Sequence, residues 1–576
     1  MKKMMSKQIC LVICLGAGLA QGAEIPVTCG KGTIQSAVDR AKPGDEVVIG
    51  PGVYFESVKV GCRGTAEKPI IIRADKMEKG RVIVTGADRA VREGKVAWQT
   101  EDASLGLYSI PWTNPAPTRV LYGRADLYPY RDLACLKTFM AISGKFIGPQ
   151  HGYAVDLRAK RLYVRLHASG KYGPADPNKQ TMCISGPLGK GPVGLEVTRP
   201  SDYGFGLFGK GSAHVEIRGI TFETPGQTGI FVESDDVLVA DCSFIGCRGG
   251  VTGNAPYFLP KGYDYASSAN RVRLEFCEFT QFPAYDDGLE TIRLAQEAGQ
   301  PMTFWARKDY QSGLRDQALN YETGIACLMG DDWEVAHCHV WNAFEALSSR
   351  ATTSSRNARV HDNVFEKLLD NAVEAEDHSV GLKVYHNLVR DVFGPFSWQP
   401  LENEPWPVGF VCSENVICST PEHEKTFAFR NPCVFKIGAT GAKRTYGKDY
   451  VPVLPEPGIL LERNTVLWGA GCLFWAAVWG NNPDKVTLKD NILFTEMNMP
   501  AGWQERFDFL RMDGNVIVQR AVRGLEGQTV NALGQLGLRE HDEAAPVPAK
   551  GSPAEGKGAL SVTSAWYPPQ AGPRTK

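Results

Sequence analysis

The sequence lacks an excess of charge of either sign. Its 576 residues carry 63 lysines and arginines against 64 aspartates and glutamates, a formal net charge of −1 at pH 7. A near-neutral chain has no global attraction for nucleic acid or for an anionic surface. We therefore expect no nucleic-acid partner, and an anionic substrate would have to be recognised by a local group of cationic side chains.

Familiar short catalytic motifs are also missing. The sequence contains no zinc-ligand spacing, no phosphate-binding glycine loop and no nucleophile elbow. These absences argue against zinc hydrolysis, nucleotide-dependent chemistry and serine-esterase chemistry. Any enzymatic site must instead be assembled from residues that are distant in the sequence.

Long apolar runs are confined to the N terminus. After residue 23 no stretch is long and apolar enough to span a bilayer. Within the first 23 residues, three lysines precede an apolar stretch at 9–20, and Ala20-Gln21-Gly22-Ala23 has the small residues of a cleavage region. This pattern is typical of a secretory signal. We expect residues 1–23 to be removed and the mature protein to be secreted or periplasmic.

A short strand pattern repeats where helical periodicity is scarce. Segments 333–340, 358–365 and 382–389 each alternate apolar and polar residues, with a Cys or Asn three residues after a fixed aliphatic. Strands that recur roughly every 20–30 residues, without helices between them, are typical of a solenoid.

The same sequence position can be followed along the chain. It is occupied by Ile220, Cys242, Cys277, Cys338, Asn363, Asn387, Asn415, Asn464, Asn491 and Asn515. Stacked coils place equivalent residues about 4.8 Å apart, so inward asparagines can bond the backbone of adjacent coils. A cysteine at this position is a small apolar filler. The pattern predicts a tier of cysteines that continues as an asparagine ladder.

The remaining cysteines do not indicate a disulfide scaffold. Fifteen cysteines become 13 once Cys10 and Cys14 leave with the signal, and an odd number cannot all pair. Cys29 and Cys62 flank the first coil and are candidates for one disulfide in an oxidising compartment.

Composition and periodicity divide the rest of the chain. A short amphipathic helix is predicted within 32–41, and residues from about 540 are expected to be loosely ordered because they are rich in Pro, Ala and Gly. The predicted regions are a cap with the first coils (24–86), a β-rich insertion (87–200), the coiled region (201–520) and a C-terminal tail (521–576). Long loops are predicted at 255–268, 291–322, 400–408 and 419–456.

The opening of the chain resembles that of a known enzyme class. The run from Thr33 to Gly86 includes Ala41-Lys42-Pro43-Gly44-Asp45, Gly52-Val53-Tyr54 and Gly64-Thr65-Ala66-Glu67-Lys68-Pro69-Ile70. It is similar to the opening of secreted right-handed parallel β-helix enzymes, which include the alginate lyase and chondroitinase B group and several glycoside hydrolase families. The resemblance implies an all-β, right-handed parallel β-helix of the pectin-lyase-like kind, with an N-terminal helical cap.

Strand alternation predicts a row of polar residues on the outer face of the later strands. If Val373 and Ala375 face inward, Glu374 and Glu376 face outward. The predicted outward column comprises Asn254, Arg350, Glu376 and Trp398, with Ser348 and Glu374 beside it. Two close carboxylates do not ionise freely together, so one is suited to acid catalysis unless Arg350 or a cation neutralises the pair. The alternative is a solvated salt-bridge ladder of little energetic value.

A second candidate lies at Asp286-Asp287-Gly288-Leu289-Glu290. Asp287 is a candidate catalytic carboxylate and Glu290 a candidate substrate ligand, although Asp and Gly are also turn residues. His378 follows the glutamate pair and is a candidate proton carrier.

The family motif is matched only in part. The chondroitinase B and alginate lyase group has a Glu-x-Glu strand followed by a Lys, and then a coil with Arg-His. Glu374-Ala375-Glu376 fits the first element, but Asp377-His378-Ser379 contains no Lys and Ser397-Trp398-Gln399 replaces Arg-His. The Gly-His-Gly and Arg-Ile-Lys elements of polygalacturonases are missing. By resemblance, Glu374 and Glu376 would hold calcium if a cation binds.

Three functions remain open on the sequence alone. The first is a lyase that cleaves a uronate-containing polysaccharide by β-elimination, with Arg350 and a cation neutralising the uronate. The second is a glycoside hydrolase that uses two of Asp287, Glu374 and Glu376, whose separation would set the stereochemistry. The third is a non-catalytic glycan-binding protein. All three predict a polysaccharide partner, and we expect the protein to be a monomer.

Overall fold

The computed structural model describes sixteen segments of the chain. They are residues 22–185, 203–207, 209, 211–226, 228–252, 269–301, 330–348, 356–376, 380–399, 409–428, 432–438, 458–477, 486–497, 510–518, 527–539 and 547–559.

The chain winds through three parallel sheets in turn, and each circuit is one coil of a parallel β-helix. The first sheet contains Glu24–Val27, Glu46–Ile49, Ile70–Ala74, Ser212–Arg218, Asp235–Ala240, Val272–Glu275, Glu334–Ala336, Arg359–His361, Lys383–Tyr385, Phe410–Ser413, Ile459–Glu462, Val486–Lys489 and Leu510–Asp513. The second contains Gly52–Tyr54, Val82–Thr85, Thr221–Glu223, Ser243–Ile245, Glu278–Thr280, His339–Ala343, Val364–Leu368, Leu388–Val392, Val416–Cys418, Thr465–Ala477, Ile492–Met497, Val516–Val518 and Gln528–Val530.

The third sheet lies in two parts. Its first part is Val58–Lys59, Tyr203–Leu207, Thr228–Val232 and Gly249–Thr252. Its second part is Leu347–Ser348, Val373–Glu376, Phe396–Gln399 and Cys433–Gly438, continued by the second half of Thr465–Ala477. We call these sheets 1, 2 and 3.

The core lies inside the coils because alternate residues of each strand point inward. Val335, Val360, Val384 and Leu461 of sheet 1 are buried at the same level as their neighbours above and below. Phe222, Phe244 and Phe279 of sheet 2 stack face to face, with ring centroids 5.3 and 4.6 Å apart. The parallel β-helix predicted from the repeat is the observed architecture.

The predicted ladder is confirmed at the corner between sheets 1 and 2. The side-chain oxygen of Asn415 accepts hydrogen bonds from the backbone and side-chain nitrogens of Asn387, at 3.0 and 2.9 Å. Its side-chain nitrogen donates to the carbonyl of Val384 and to Oδ1 of Asn464, each at 3.0 Å. The pattern repeats from Asn363 to Asn515. Cys242, Cys277 and Cys338 fill the same position in earlier coils, and their thiols contact strand carbonyls.

Each ladder residue follows a residue in the left-handed backbone conformation. These ten residues have φ between 51° and 68°, and only two of them are glycine: Gly219, Asp241, Phe276, His337, Asp362, His386, Glu414, Arg463, Asp490 and Gly514. This conformation costs a residue with a side chain roughly 1–2 kcal/mol. The ladder bonds stabilise the corner against that cost.

Few helices interrupt the strands. The described helices are α1 (Ile34–Val38), α2 (Arg89–Arg92), α3 (Leu133–Thr138), α4 (Ala141–Gly144), α5 (Ala284–Glu297) and α6 (Pro421–Phe427), with 3-10 turns at Pro177–Lys179 and Leu533–Leu536. Helix α1 lies within the predicted helical segment, Thr33 caps its first turn, and its apolar residues join the core. None of the helices that the structure describes has the length and apolarity to cross a membrane.

Residues 87–185 form a mainly antiparallel segment outside the coils, which we call the antiparallel segment; its one parallel pair joins Tyr128–Pro129 to Gly152–Asp156. One sheet orders Tyr128–Pro129, Gly152–Asp156, Arg161–Arg165, Leu107–Pro111 and Gln99–Asp102, and a smaller one joins Ala125–Asp126, Val120–Tyr122 and Met182–Ile184; the strand Phe146–Ile147 lies near α4. The segment contacts the outer face of sheet 2, where Arg92 pairs with Glu223 and Leu121 packs near Ile245. Its role as an inserted unit, like that of α1 as a cap, stays a prediction.

Four expectations are corrected by the structure. The predicted loop at 291–322 begins inside α5, and the predicted loop at 419–456 contains α6 and a sheet-3 strand. Residues 547–559 are packed rather than loose, because the side chains of Ala554 and Ala559 are fully buried against sheet 2. Cys29 and Cys62 are both free thiols.

We expect Asn415→Ala to lower the free energy of unfolding by about 3 kcal/mol, because buried partners above and below lose their hydrogen bonds. Urea denaturation followed by circular dichroism measures the change. Asn114→Ala, at an exposed turn residue, is the matched control and should leave stability within about 0.5 kcal/mol of wild type. Equal effects of the two substitutions would contradict the ladder's role.

Candidate functional site

The outer face of sheet 3 carries a row of residues brought together by strand register. Glu374 lies opposite Ser397, and Ser397 lies opposite Lys436 in the next coil. Backbone register extends the row to Ser348 on one side and Trp475 on the other. With strands about 4.8 Å apart, the backbones of Glu374 and Lys436 lie about 9–10 Å from each other.

Alternation decides which way these side chains point. Val373, Ala375, Phe396 and Phe435 belong to the core, so their neighbours Glu374, Ser397 and Lys436 point away from it. Glu374 is 2% exposed and Ser397 is fully buried, whereas Lys436 is partly exposed. A small serine therefore lies between a carboxylate and an ammonium group, and the burial of Glu374 and Ser397 means that other parts of the chain cover this end of the row.

Two long connections leave this part of sheet 3 for the next strand of sheet 1, one between Gly438 and Ile459 and one between Gln399 and Phe410. Long connections on a solenoid commonly border a binding groove.

Trp398 does not belong to the outward row, contrary to the sequence prediction. It lies opposite Ala375 rather than beside Glu376, and its side chain is buried in the core. Gln399 is the residue opposite Glu376. The prediction placed this strand one residue out of register, which exchanges the two faces.

Several other predicted residues lie where the structure gives little detail. Asn254, Arg350 and His378 are outside the described residues. Ser348 and Glu376 are described only by their backbone, which places both on sheet 3. Their proposed roles stay predictions.

Sequence reasoning missed three charged residues near the row. Lys436 was missed because its strand follows α6 inside a predicted loop, although Cys433–Gly438 could have been read as a short strand. Glu345 and Asp370 are also buried, and a 2.7 Å hydrogen bond from Asp370 N to the Phe344 carbonyl sets them in adjacent coils. Both lie at the corner that leads into sheet 3. Strand alternation is interrupted there, so the sequence does not indicate whether these side chains point inward or outward.

Asp287 and Glu290 lie on α5 and contact the antiparallel segment. Asp287 Oδ2 is 2.7 Å from His151 Nε2, and Tyr172 donates a 3.1 Å hydrogen bond to Oδ1. Asp287 is 2% exposed and His151 fully buried. Burial, followed by the charge of Asp287, raises the pKa of Tyr172 well above its usual range, so the phenol keeps its proton.

Glu290 is more exposed than Asp287 and makes a second set of contacts between α5 and the antiparallel segment. Its Oε1 is 3.2 Å from His167 Nε2, and its Oε2 is 3.3 Å from Lys171 Nζ. Asp287 and Glu290, one turn apart on the helix, together tie α5 to the antiparallel segment. This arrangement accounts for both residues structurally.

Helices α5 and α6 pack together at the corner between sheets 2 and 3. Their cluster includes Phe344, Leu369 and Phe393, each three or four residues before a sheet-3 strand. Tyr285 of α5 and His423 of α6 are joined by a 2.8 Å hydrogen bond between the phenol oxygen and Nδ1. The helices therefore pack over the corner between sheets 2 and 3.

The described residues do not define a metal centre. Within the described ranges, no group of three or more His, Cys, Asp or Glu side chains is arranged to hold a metal ion. Calcium bound by Glu374 and Glu376 therefore stays a prediction.

We expect Asp287→Ala to lower the free energy of unfolding by about 3 kcal/mol, because His151 and Tyr172 lose a buried charged partner. Thermal and urea denaturation measure the change. Asp286→Ala, on the same turn of α5, is the control and should have little effect. A stable Asp287→Ala protein with greatly reduced turnover would instead support a catalytic role for Asp287.

His423 predicts an acid-sensitive step in stability. Burial lowers its pKa from 6.5 to about 3. The unfolded chain therefore binds a proton that the folded chain excludes, and stability falls as pH drops from about 6.5 towards 3. Compared with His423→Leu, the wild type should lose about 1.4 kcal/mol more for each pH unit across that range. Parallel stability–pH curves for the two proteins would contradict this assignment.

Comparison with protein families places the fold. Residues 205–398 match the model described as right handed beta helix region, and residues 29–96 match the model described as chondroitinase B. No curated protein matches the chain.

Comparison with solved structures gives distant likenesses. The complex of XylC with xylose has 10% identity and a TM-score of 0.45, over 86% of this chain and 82% of that one. The PL6 family alginate lyase AlyGC has 10% identity and a TM-score of 0.39, over 96% and 60%. A mannuronic acid specific polysaccharide family 6 lyase from human gut microbiota has 10% identity and a TM-score of 0.40, over 89% and 93%.

These likenesses are too remote to carry an argument about activity. The family matches bear out the resemblance seen in the sequence: this chain is similar to right-handed parallel β-helix proteins through its middle and to chondroitinase B at its opening.

Proposed function

We propose that the protein degrades a uronate-containing polysaccharide by β-elimination on the outer face of sheet 3. The observation that carries the proposal is the row Glu374–Ser397–Lys436, which sets a lysine near the Glu-x-Glu strand. The sequence had offered no lysine close to that strand. The matches to chondroitinase B and to the right-handed β-helix family support a polysaccharide as substrate.

The chemistry assigns a separate role to each group. A sugar ring bound above Ser397 would have to displace the residues that cover this serine, and it would then lie between Glu374 and Lys436. Lys436, in its neutral form, takes the proton from the carbon next to the uronate carboxylate. The bond from the adjacent carbon to the glycosidic oxygen breaks, a carbon–carbon double bond forms, and the leaving oxygen takes up a proton.

Charge neutralisation is the second requirement. Removing a proton beside a carboxylate builds negative charge on that carboxylate, so a cation must stabilise it. Arg350 is the residue we propose for this task. Glu374 and Glu376 would orient the sugar hydroxyls, or bind calcium if the polymer brings a carboxylate to complete the ligand set.

Hydrolysis is the alternative that a specific observation favours. Glu345, in the coil before Glu374, and Asp370, four residues before Glu374, add two buried carboxylates at the corner that leads into sheet 3. Such a pair can supply a general acid together with a base or nucleophile. In that case no unsaturated product would form.

A polysaccharide panel tests the proposal. Uronate-containing and neutral polymers are assayed in parallel for new reducing ends and for the ultraviolet absorbance of unsaturated sugars, with and without calcium. Reducing ends with matching absorbance would establish elimination. Reducing ends without absorbance would establish hydrolysis, and retention of polymer without any product would favour a binding protein.

We expect Lys436→Gln to reduce turnover by about 10²–10⁴-fold, the usual contribution of a positioned base. Glu374→Gln should also reduce turnover while preserving the fold. Lys383→Gln and Glu275→Gln, on the outer face of sheet 1, are matched controls that should retain activity. Initial rates and melting temperatures are measured for all four. Full activity of Lys436→Gln would exclude this lysine as the base.

A further inference from the structure

The outer face of sheet 2 is covered at both ends, and the part between these covers is partly exposed. At its beginning, Leu121 and Cys183 of the antiparallel segment pack near Ile245. At its far end, Leu533 and Leu536 of the C-terminal segment belong to the apolar cluster that covers Val416 and Ile492. Between these covers the coils present five outward residues that are polar or aromatic and partly exposed, beside the buried Val364 and Leu388: Glu278, His339, Trp341, Glu366 and Arg390. We call this surface the sheet-2 window.

Trp341 lies at the centre of the window with its indole held in place. Its Nε1 donates a 2.9 Å hydrogen bond to Glu278 Oε1. The His339 ring stacks near it, with centroids 6.2 Å apart, and the guanidinium of Arg124 lies 5.9 Å from the indole centroid. A partly exposed aromatic ring fixed at its polar edge is a suitable plate for a sugar ring.

The charged residues around Trp341 form two clusters. Glu278 is 3.0 Å from Lys79 Nζ and 3.8 Å from Arg124 Nη2. Glu366 Oε1 is 2.8 Å from His339 Nε2, and Arg390 bonds Oε2. Lys79 and Arg124 are about half exposed, with side-chain exposures of 51% and 56%.

Both carboxylates remain ionised at neutral pH. Burial works against the charge of Glu366, but hydrogen bonds from His339 and Arg390 outweigh it and lower its pKa to about 2. Burial of Glu278 is likewise outweighed by Lys79, Trp341 and Arg124, and its pKa is lowered. Lys79, Arg124 and Arg390 therefore give three cations against two carboxylates.

This combination favours an anionic sugar over a neutral one. An exposed ion pair is worth little, so Lys79 and Arg124 can exchange part of their contact with Glu278 for a ligand carboxylate or sulfate. The indole would contact the apolar face of the sugar ring while the cations bind its acidic group. The surplus positive charge attracts such a polymer and weakens with added salt.

We propose that the sheet-2 window is an auxiliary binding site for an acidic polysaccharide segment, centred on Trp341 and flanked by Lys79 and Arg124. It lies on a different sheet from Glu374 and Lys436. The proposal rests on the proposed function only in taking the same class of polymer as ligand. Binding at the window would retain the polymer on the protein, whereas cleavage would occur on sheet 3.

Affinity electrophoresis tests the window without cleavage. Glu374→Gln protein is run through native gels that contain sodium alginate, chondroitin sulfate or an esterified, neutral alginate. We expect retardation by at least one of the two acidic polymers, reduced by added salt and much weaker with the neutral derivative. In the same background, Trp341→Ala should weaken binding about tenfold, equivalent to about 1.4 kcal/mol.

Three further variants keep the result interpretable. Trp341→Phe retains an aromatic ring and should preserve most of the binding. This variant distinguishes the loss of the aromatic contact from a disruption of the fold. Lys79→Gln combined with Arg124→Gln should reduce binding of the acidic polymer and remove its salt dependence. Tyr385→Ala, at a partly exposed ring on sheet 1, is the control and should bind as its parent does.

The proposal is overturned if Trp341→Ala binds as tightly as its parent, or if neither acidic polymer is retarded. Equal retardation by acidic and neutral alginate would overturn its charge selectivity. Because retardation reports binding rather than cleavage, a failure of the β-elimination hypothesis leaves this result unaffected. Conversely, if the protein cleaves the polymer but Trp341→Ala binds it as tightly as its parent does, the auxiliary site is refuted and the proposed function stands.

Discussion

The vertical register of the stacked coils is the constraint on which every functional placement in this protein depends. Parallel strands fix the rise between coils, but a one-residue slip along a strand would exchange its inner and outer faces. The asparagine ladder opposes such a slip, because each side chain bonds the backbone of the coil before it and the next asparagine. These bonds are buried, so breaking them leaves polar groups without water.

The same register brings distant parts of the chain to one surface. Glu374 and Lys436 are separated by 62 positions in the sequence, yet only Ser397 lies between them on sheet 3. Helices α5 and α6 then pack at the adjacent corner, and α5 is anchored to the antiparallel segment through Asp287 and Glu290. The stacked coils provide a rigid surface, and α5, α6 and the antiparallel segment pack around it.

Sequence predicted those features that repeat. The aliphatic positions and the Cys and Asn column recur with each coil, so the parallel β-helix and its ladder could be predicted without coordinates. Glu374 was placed on the correct face because Val373 and Ala375 are both apolar. Trp398 was misplaced because a large aromatic in a mixed strand, Ser397-Trp398-Gln399, fits either face by composition.

Features that do not repeat were harder to predict. Asp286-Asp287-Gly288 has turn composition, yet it lies in a helix whose packing on Phe344 and Leu369 outweighs the local preference. Lys436 lies in a strand isolated between long connections, so nothing nearby fixed its register. The partnership of Asp287 with His151 joins residues 136 positions apart and has no local signal. The ladder positions recur at a spacing that is visible in the sequence, whereas these contacts form only when the chain folds.

A crystal structure of the Lys436→Gln protein with a uronate oligosaccharide would test the central claim most directly. The account predicts a sugar ring above Ser397, with its acidic carbon facing position 436 and Glu374 in contact with the sugar. An oligosaccharide bound productively elsewhere, with the outer face of sheet 3 unoccupied, would contradict it.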